Sequence, residues 1–175
     1  MIKIVEVCKS FGEVKAVTNL SLSIPKGELF CFLGPNGAGK TTTLKILTGL
    51  LRPTSGKASI GGLDIAVHSS QVKRIVGYIP DMPFVYERLT CTEFFQFTGN
   101  LYNVPETRIE SSMLELFSLF GLMDHRNTLA KDLSHGLRQR LVYASTFLHE
   151  PEVLFIDEPL MGLDPYTIRL IKDLL

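Results

Sequence analysis

The pattern of apolar and polar positions predicts strands that alternate with helices. Residues 2–33 are predicted to be β-rich and to end in a short buried strand, Glu28–Leu33, after a turn at Pro25-Lys26-Gly27. Leucines at helical spacing predict a helix over Thr41–Leu50. Further short strands are predicted at 57–60, 75–79 and 153–156. This order predicts an α/β layered fold with a mostly parallel sheet and an antiparallel portion at the N-terminus.

A largely helical segment is predicted between residues 88 and 150. Thr90 and Glu93 fit a capping box ahead of a helix that ends near Tyr102, and Pro105 opens a second helix. A third helix is predicted at 136–149, and Asp164-Pro165 starts a last one. The chain therefore divides into a β-rich core (1–87), a helical insertion (88–150) and a return to the core (151–175).

Composition and charge narrow the classes of protein. The 175 residues suggest one domain, or a core with a subdomain. Lysine and arginine total 18, as do aspartate and glutamate, which argues against broad electrostatic capture of nucleic acid. The chain has neither an apolar stretch of membrane-spanning length nor a signal peptide, so we expect a cytosolic location unless a partner holds the chain at a membrane. Three cysteines, Cys8, Cys31 and Cys91, lack metal-binding or redox spacing and are expected to be reduced.

A glycine-rich loop follows the strand predicted at Glu28–Leu33. It fits the pattern G-x-x-x-x-G-K-[ST] with Gly34, Pro35, Asn36, Gly37, Ala38, Gly39, Lys40 and Thr41. Glycines let backbone N–H groups approach phosphate oxygens, and the following helix directs its positive end at the same anion. Lys40 would contact the β- and γ-phosphates, and the Thr41 hydroxyl would bind Mg²⁺. The strand and helix around the loop favour this interpretation over an ordinary glycine turn.

Two carboxylates end the strand predicted at 153–156. We expect Asp157 to lie beside the glycine loop and to hold Mg²⁺, often through water. Glu158 points differently and could polarise a water for attack on the γ-phosphate. A solvated strand end is the alternative, and the presence of the glycine loop makes it the weaker one.

Four motifs in order resemble the ATP-binding cassette (ABC) family, the nucleotide-binding domains of ABC transporters. They are the glycine loop from Gly34 to Thr42, Leu133–Arg140 like the family signature, Leu154–Pro159 and Gly162–Pro165. The resemblance covers essentially the whole chain. It implies a P-loop NTPase layered fold whose helical insertion carries the signature, and it implies that Gly162–Pro165 contacts a partner domain.

The resemblance also implies partners and further site residues. Two such domains pair head to tail around ATP, so Ser134 and the Gly136 N–H would reach the γ-phosphate bound by the partner. Phe11 matches the aromatic residue that stacks on adenine, with core packing as the alternative. The apolar segment Pro80–Leu89 and the helical insertion would dock a permease, and packing of Pro80–Leu89 onto its own domain is the alternative.

Three departures from the family pattern change the expectations. Asp81 stands where a glutamine usually meets Mg²⁺, and its carboxylate can also bind the ion. The signature has His135 and Leu137 where glycine and glutamine are commoner. The chain stops at Leu175, before the family's next strand and its γ-phosphate histidine, so it resembles a domain truncated at the C-terminus. We therefore expect nucleotide binding, with hydrolysis weakened or lost.

The leading hypothesis is the ATP-binding subunit of an ABC transporter. It would bind and hydrolyse MgATP, pair with an identical or different cassette, and attach to an integral membrane permease on the cytoplasmic face. Three alternatives remain: a cytosolic cassette ATPase acting on ribosomes or DNA, a small-molecule kinase, and a fragment that binds ATP or a partner without turnover. A cassette ATPase that acts on ribosomes or DNA would be supported by a basic run or a second cassette, and the sequence has neither. A kinase would not need the signature at Leu133–Arg140.

Overall fold

The computed structural model describes residues 1–158, 168, 169 and 171. The chain forms two compact units, Met1–Val76 and Gly77–Leu175. The predicted start of the last helix, Asp164-Pro165, lies outside the described residues. The predicted boundaries at 87/88 and 150/151 stay a prediction.

The first unit contains a four-stranded antiparallel sheet in the order β2-β1-β3-β4. Its strands are β1 (Ile2–Phe11), β2 (Val14–Ile24), β3 (Ser55–Ile60) and β4 (Leu63–Asp64). Ile4 in β1 lies between Leu22 in β2 and Ala58 in β3, and both Ile4 and Ala58 are buried. The sheet confirms the antiparallel N-terminal portion that the alternating pattern predicted.

Two helices complete the first unit, α1 (Lys40–Leu47) and α2 (Ser69–Ile75). Leu44, Ile46 and Leu47 are buried along α1, so this helix is held by its apolar face. The predicted helix therefore exists, although it ends three residues before Leu50.

The predicted buried strand Glu28–Leu33 is wrong. The segment has no strand structure, and no backbone hydrogen bond joins it to a described residue. The side chains of Leu29 and Leu33 are 75% and 92% exposed. Strand-forming residues become a strand only where a neighbour supplies backbone donors and acceptors, and no described strand lies beside this segment.

The second unit is built on a two-stranded parallel sheet of β5 (Val76–Ile79) and β6 (Val153–Ile156). Three helices lie between these strands in sequence, α3 (Cys91–Leu101), α4 (Glu106–Leu119) and α5 (His135–Phe147). Single 3-10 turns occupy Met123–His125 and Ala130–Asp132. The apolar core of this unit includes Phe95 and Phe117, whose rings meet edge to face at 5.1 Å.

The local signals in this unit are confirmed. Thr90 caps α3 and forms the predicted box with Glu93, and the hydrogen bonds from Thr90 hold the pKa of Glu93 below its usual value. Pro105 precedes the first residue of α4, and β6 has the predicted bounds. The α/β fold with a P-loop NTPase architecture is likewise confirmed.

None of the helices in the described ranges has the length and apolarity that a bilayer crossing requires.

Candidate functional site

The glycine loop runs from Gly34 to Gly39 and leads into α1. Gly37 and Gly39 have φ values of 83° and 85°, which a residue with a side chain adopts only with strain. The Lys40 ammonium folds back and donates to the carbonyl oxygens of Gly34 and Pro35 at 2.8 and 2.9 Å. Lys40 therefore hydrogen-bonds to its own loop. A phosphate group would replace those neutral carbonyls as its partner, because a charged acceptor binds an ammonium group more strongly.

Gly39 also makes a close approach that no side chain could share. A Cβ atom at this position would lie 2.3 Å from the carbonyl oxygen of Ala16 in β2. The glycine therefore lets the start of α1 sit directly on the antiparallel sheet. This contact fixes where the helix begins relative to the loop.

The first turn of α1 presents unpaired backbone donors. The helical ladder starts with the Thr43 N–H, which donates to Gly39 O at 2.8 Å. The N–H groups of Lys40, Thr41 and Thr42 have no acceptor among the described residues. Such donors at a helix N-terminus, beside a lysine and glycines in the left-handed region, form an anion site of the kind that holds phosphate.

The acidic end of β6 differs from the glycine loop in being buried. Asp157 is only 4% exposed, and its N–H donates to Ile79 O of β5 at 2.9 Å. Its Oδ2 atom is shielded from solvent and has no hydrogen-bond partner in the described part of the chain. Glu158 is exposed, with a φ of 54°. The two residues after β6 therefore differ, since the Asp157 carboxylate is buried and the Glu158 carboxylate is exposed.

A buried carboxylate oxygen without a donor fits a divalent cation. Mg²⁺ typically takes one or two carboxylates and completes its shell with phosphate oxygens and water. Within the described ranges there is no group of three or more histidine, cysteine, aspartate or glutamate side chains that could hold a metal by itself. Asp157 is therefore a candidate ligand for a magnesium ion that arrives with a nucleotide.

Tyr78 and Asp81 lie close to Asp157 at the same end of the parallel sheet. Burial raises the pKa of the Tyr78 phenol to about 12, and the negative charges of Asp157 and Asp81 contribute to the shift. The half-buried Asp81 follows β5 by two residues. Sequence reasoning missed Tyr78, although a tyrosine inside a buried apolar strand was a usable signal.

Phe11 lies at the end of β1 and is 49% exposed. The Lys9 ammonium lies 5.0 Å from the centroid of its ring. This exposure rules out core packing as the role of Phe11 in the described unit. A surface aromatic ring can stack on a flat ligand.

The signature segment forms the start of α5. The Ser134 hydroxyl oxygen accepts the Leu137 N–H at 3.3 Å and so caps the helix. Its hydroxyl proton has no acceptor among the described residues, so it can donate to an external group. Gly136 lies in the first turn, and His135 is exposed. The other predicted contact segment, Gly162–Pro165, lies outside the described residues.

An exposed aromatic patch is formed by Met82, Phe84, Tyr86 and Phe97. Their exposed fractions are 66%, 74%, 48% and 42%, respectively. Tyr86 meets Phe84 and Phe97 edge to face, with ring centroids 5.8 and 5.2 Å apart. Val85 between them is buried, so the segment packs on its own unit through Val85 while the patch faces outward.

Comparison with known proteins identifies the family. The model of the family described as "ABC transporter" matches residues 17–161. The "Bacitracin transport ATP-binding protein BcrA" of Bacillus licheniformis is 34% identical over 175 residues, which are 100% of this chain and 56% of that protein. The "Probable multidrug ABC transporter ATP-binding protein YbhF" of Escherichia coli is 36% identical over 164 residues, 94% of this chain and 28% of that protein. The chain thus spans about half the length of the first relative and less of the second.

Solved structures agree with the sequence relatives. The "Structure of ATP binding subunit of ABC transporter" superposes with a TM-score of 0.92 at 29% identity, covering 99% of this chain and 72% of that one. A dimeric ATP-binding cassette in a post-hydrolysis state, bound to ADP and Pi, gives a TM-score of 0.87 at 26% identity, covering 99% and 81%. Together with the glycine loop and the signature, these matches show that the chain belongs to the ABC transporter family, whose ATP-binding domains bind nucleotide.

Proposed function

We propose that this chain is the ATP-binding subunit of an ABC transporter, which binds and hydrolyses MgATP to drive transport through a membrane permease. The observation that carries the proposal is the glycine loop with its unpaired first-turn N–H groups and the Lys40 ammonium. Family membership supports the same function.

The loop binds the phosphates of ATP. On binding, Lys40 exchanges its two carbonyl contacts for β- and γ-phosphate oxygens, a stronger pairing because both partners are charged. The N–H groups of Lys40, Thr41 and Thr42 gain the acceptors that they lack. Pro35, Asn36 and Ala38 shape the curve of the loop between the glycines.

The residues that would hold Mg²⁺ are Thr41 through its hydroxyl, Asp157 through its buried carboxylate and Asp81 in place of the usual amide. When bound, the ion supplies positive charge against the charge that develops on the transferring phosphoryl group. The half-buried Asp81 can reach the ion directly or through water, because a carboxylate is also an oxygen ligand.

Glu158 is the proposed general base. Its exposed carboxylate takes a proton from a water whose oxygen attacks the γ-phosphorus, while the bond to the leaving ADP oxygen breaks. Lys40 stabilises the negative charge on the phosphate oxygens during this step.

The nucleotide is shared with a second cassette, either a second copy of this chain or a different chain. Phe11 stacks on the adenine through its exposed ring. Ser134 and the Gly136 N–H approach the γ-phosphate of the nucleotide bound by the partner, since the Ser134 hydroxyl proton is available. A dimeric state in a similar solved structure supports this arrangement.

The exposed aromatic patch is the proposed docking surface for the permease. Exposed aromatic side chains that cluster on one side of a domain more often contact a partner protein than remain in open solvent. The subunit would then sit on the cytoplasmic face of the membrane through its partner. The zero net charge does not favour nucleic acid as a partner.

ATPase and binding assays on the whole chain test the proposal. Lys40→Ala should weaken MgATP binding by roughly 10-fold or more, whereas Lys45→Ala on the same helix should not. Glu158→Gln should keep the affinity and lose turnover, whereas Glu152→Gln should change neither. Full affinity in the Lys40→Ala variant would refute the role of the loop.

A second candidate is nucleotide binding without turnover. The exposed segment Glu28–Leu33 ahead of the loop favours it, because a loop that follows a segment without a backbone partner among the described residues holds the phosphates less rigidly. Tight MgATP binding with no phosphate release by the wild-type chain would select this candidate.

A further inference from the structure

Tyr78 has a buried hydroxyl that none of the proposed roles uses. Its oxygen is shielded from solvent and has no hydrogen-bond partner in the described part of the chain. A buried hydroxyl left without a partner is costly, and such groups in native proteins usually have a reason. The residue lies in β5, one position before Ile79.

The register of the parallel sheet puts Tyr78 and Asp157 on one face. The Asp157 N–H donates to Ile79 O, which aligns Asp157 with Pro80, each one residue past the end of its strand. Side chains alternate along a strand, so Tyr78 and Pro80 share a face with Asp157. Ile79, which is fully buried, points to the other face.

The two groups are complementary. Among the described residues, the Tyr78 O–H donor has no acceptor and the Asp157 Oδ2 acceptor has no donor. A tyrosine phenol carries its proton at neutral pH, so Tyr78 is a donor. The pKa of Tyr78 responds to the charge of Asp157, so the two side chains are close enough to interact.

We propose that Tyr78 is a positioning residue for Asp157: a small rotation of the buried carboxylate brings its Oδ2 atom to the Tyr78 hydroxyl, which donates to it and so orients it toward Mg²⁺. The inference rests on the proposed function, in which Asp157 binds the ion. Asp81 is the other carboxylate that faces Tyr78. It is half-buried and none of its oxygens is an orphaned buried atom, so it has less need of the phenol. Hydrogen bonds to metal-binding carboxylates of this kind fix the orientation of the ligand.

The test is the magnesium advantage, defined as the ratio of nucleotide affinities with Mg²⁺ and with EDTA. It is measured on the whole chain with a fluorescent, non-hydrolysable ATP analogue. Tyr78→Phe should lower the advantage by roughly 10-fold and leave the EDTA affinity unchanged. The control is Tyr102→Phe, since the Tyr102 ring stacks on His149 at 3.8 Å and only burial raises its pKa. Tyr102→Phe should leave the advantage unchanged.

Further variants separate the possible failures. Asp157→Asn should remove the advantage, and adding Tyr78→Phe to it should have no further effect. Tyr78→Gln restores a hydrogen-bond donor through its side-chain amide and should recover part of the magnesium advantage. This variant also provides the test if Tyr78→Phe folds poorly.

Two results would overturn this inference and leave the proposed function intact. The first is a magnesium advantage in Tyr78→Phe equal to that of the wild-type chain. The second is an effect of Tyr78→Phe that disappears when Asp81→Asn is also present but persists when Asp157→Asn is also present. A wild-type chain without any magnesium advantage would instead overturn the proposed metal role itself.

Discussion

Two apolar runs in this chain each lead to a group with a proposed role in binding phosphate or its metal, yet they differ in structure. Glu28–Leu33 precedes the glycine loop, has no backbone partner among the described residues and leaves Leu33 92% exposed. β6 precedes Asp157, pairs with β5 and buries Phe155 to 6% exposure. Similar composition therefore gives a strand only where a neighbouring strand is present.

The difference extends to the functional groups. Lys40 is accessible and satisfies its donors with carbonyl oxygens of its own loop. Asp157 is buried, and its Oδ2 atom has no hydrogen-bond partner in the part of the chain that the structure describes. The loop without a ligand therefore loses little free energy of folding. The burial of the Asp157 carboxylate, in contrast, lowers the free energy of unfolding through desolvation.

The largest expected contrast lies within the two apolar runs. Phe155→Ala should lower the free energy of unfolding by about 3–5 kcal/mol, because it leaves a cavity in a packed unit. Leu33→Ala should change it by less than about 0.5 kcal/mol, since the side chain already faces solvent. Urea denaturation of the whole chain measures both. Equal losses would contradict the contrast between the two runs.

The next contrast lies between two glycines of the loop. Gly39→Ala should cost roughly 2–5 kcal/mol, combining left-handed strain with the clash against Ala16 O. Gly37→Ala has a similar φ and open space around its Cβ, so it should cost about 1–2 kcal/mol. Thermal unfolding of both variants isolates the contribution of the contact. If Gly37→Ala is as unstable as Gly39→Ala, then backbone strain alone accounts for the loss of stability and the contact with Ala16 O contributes nothing.

A smaller contrast compares the two charged groups. Asp157→Asn should raise the free energy of unfolding by about 1 kcal/mol in the absence of nucleotide, because it removes a buried charge with an unsatisfied oxygen. Lys40→Ala should leave it within about 0.5 kcal/mol, since its contacts are accessible to water. Denaturation without nucleotide is the measurement. Destabilisation by Asp157→Asn would mean that this carboxylate is already paired.

The last contrast concerns the reactivity of two thiols, with Cys31 in the exposed run and Cys91 fully buried. Burial raises the pKa of Cys91 to about 11 from 9.0. At pH 8, Cys91 should react with iodoacetamide at least about 100-fold more slowly than Cys31, as followed by mass spectrometry. The raised pKa stabilises the fold below pH 9, and this contribution should be lost as the pH rises toward 11. Equal labelling rates would contradict the exposure of the run.

Short-range signals in the sequence predicted much of the fold. The Thr90 capping box, the proline before α4 and the bounds of β6 depend on residues a few positions apart, and all three are confirmed. The segment Glu28–Leu33 was predicted incorrectly because its pattern reports propensity, not the presence of a neighbour. Tyr78 was missed because its significance depends on strand register.

By itself, the sequence determined the family and predicted the phosphate-binding role of the glycine loop. The order Gly34 to Thr42, Leu133–Arg140 and Asp157-Glu158 is a property of the chain that needs no folded structure to be recognised. Only the tertiary structure decided that Asp157 Oδ2 is buried with no donor within the described ranges, that Tyr78 shares its face and that Leu33 is exposed. Burial and register depend on which distant strand lies alongside, and local sequence does not encode that neighbour.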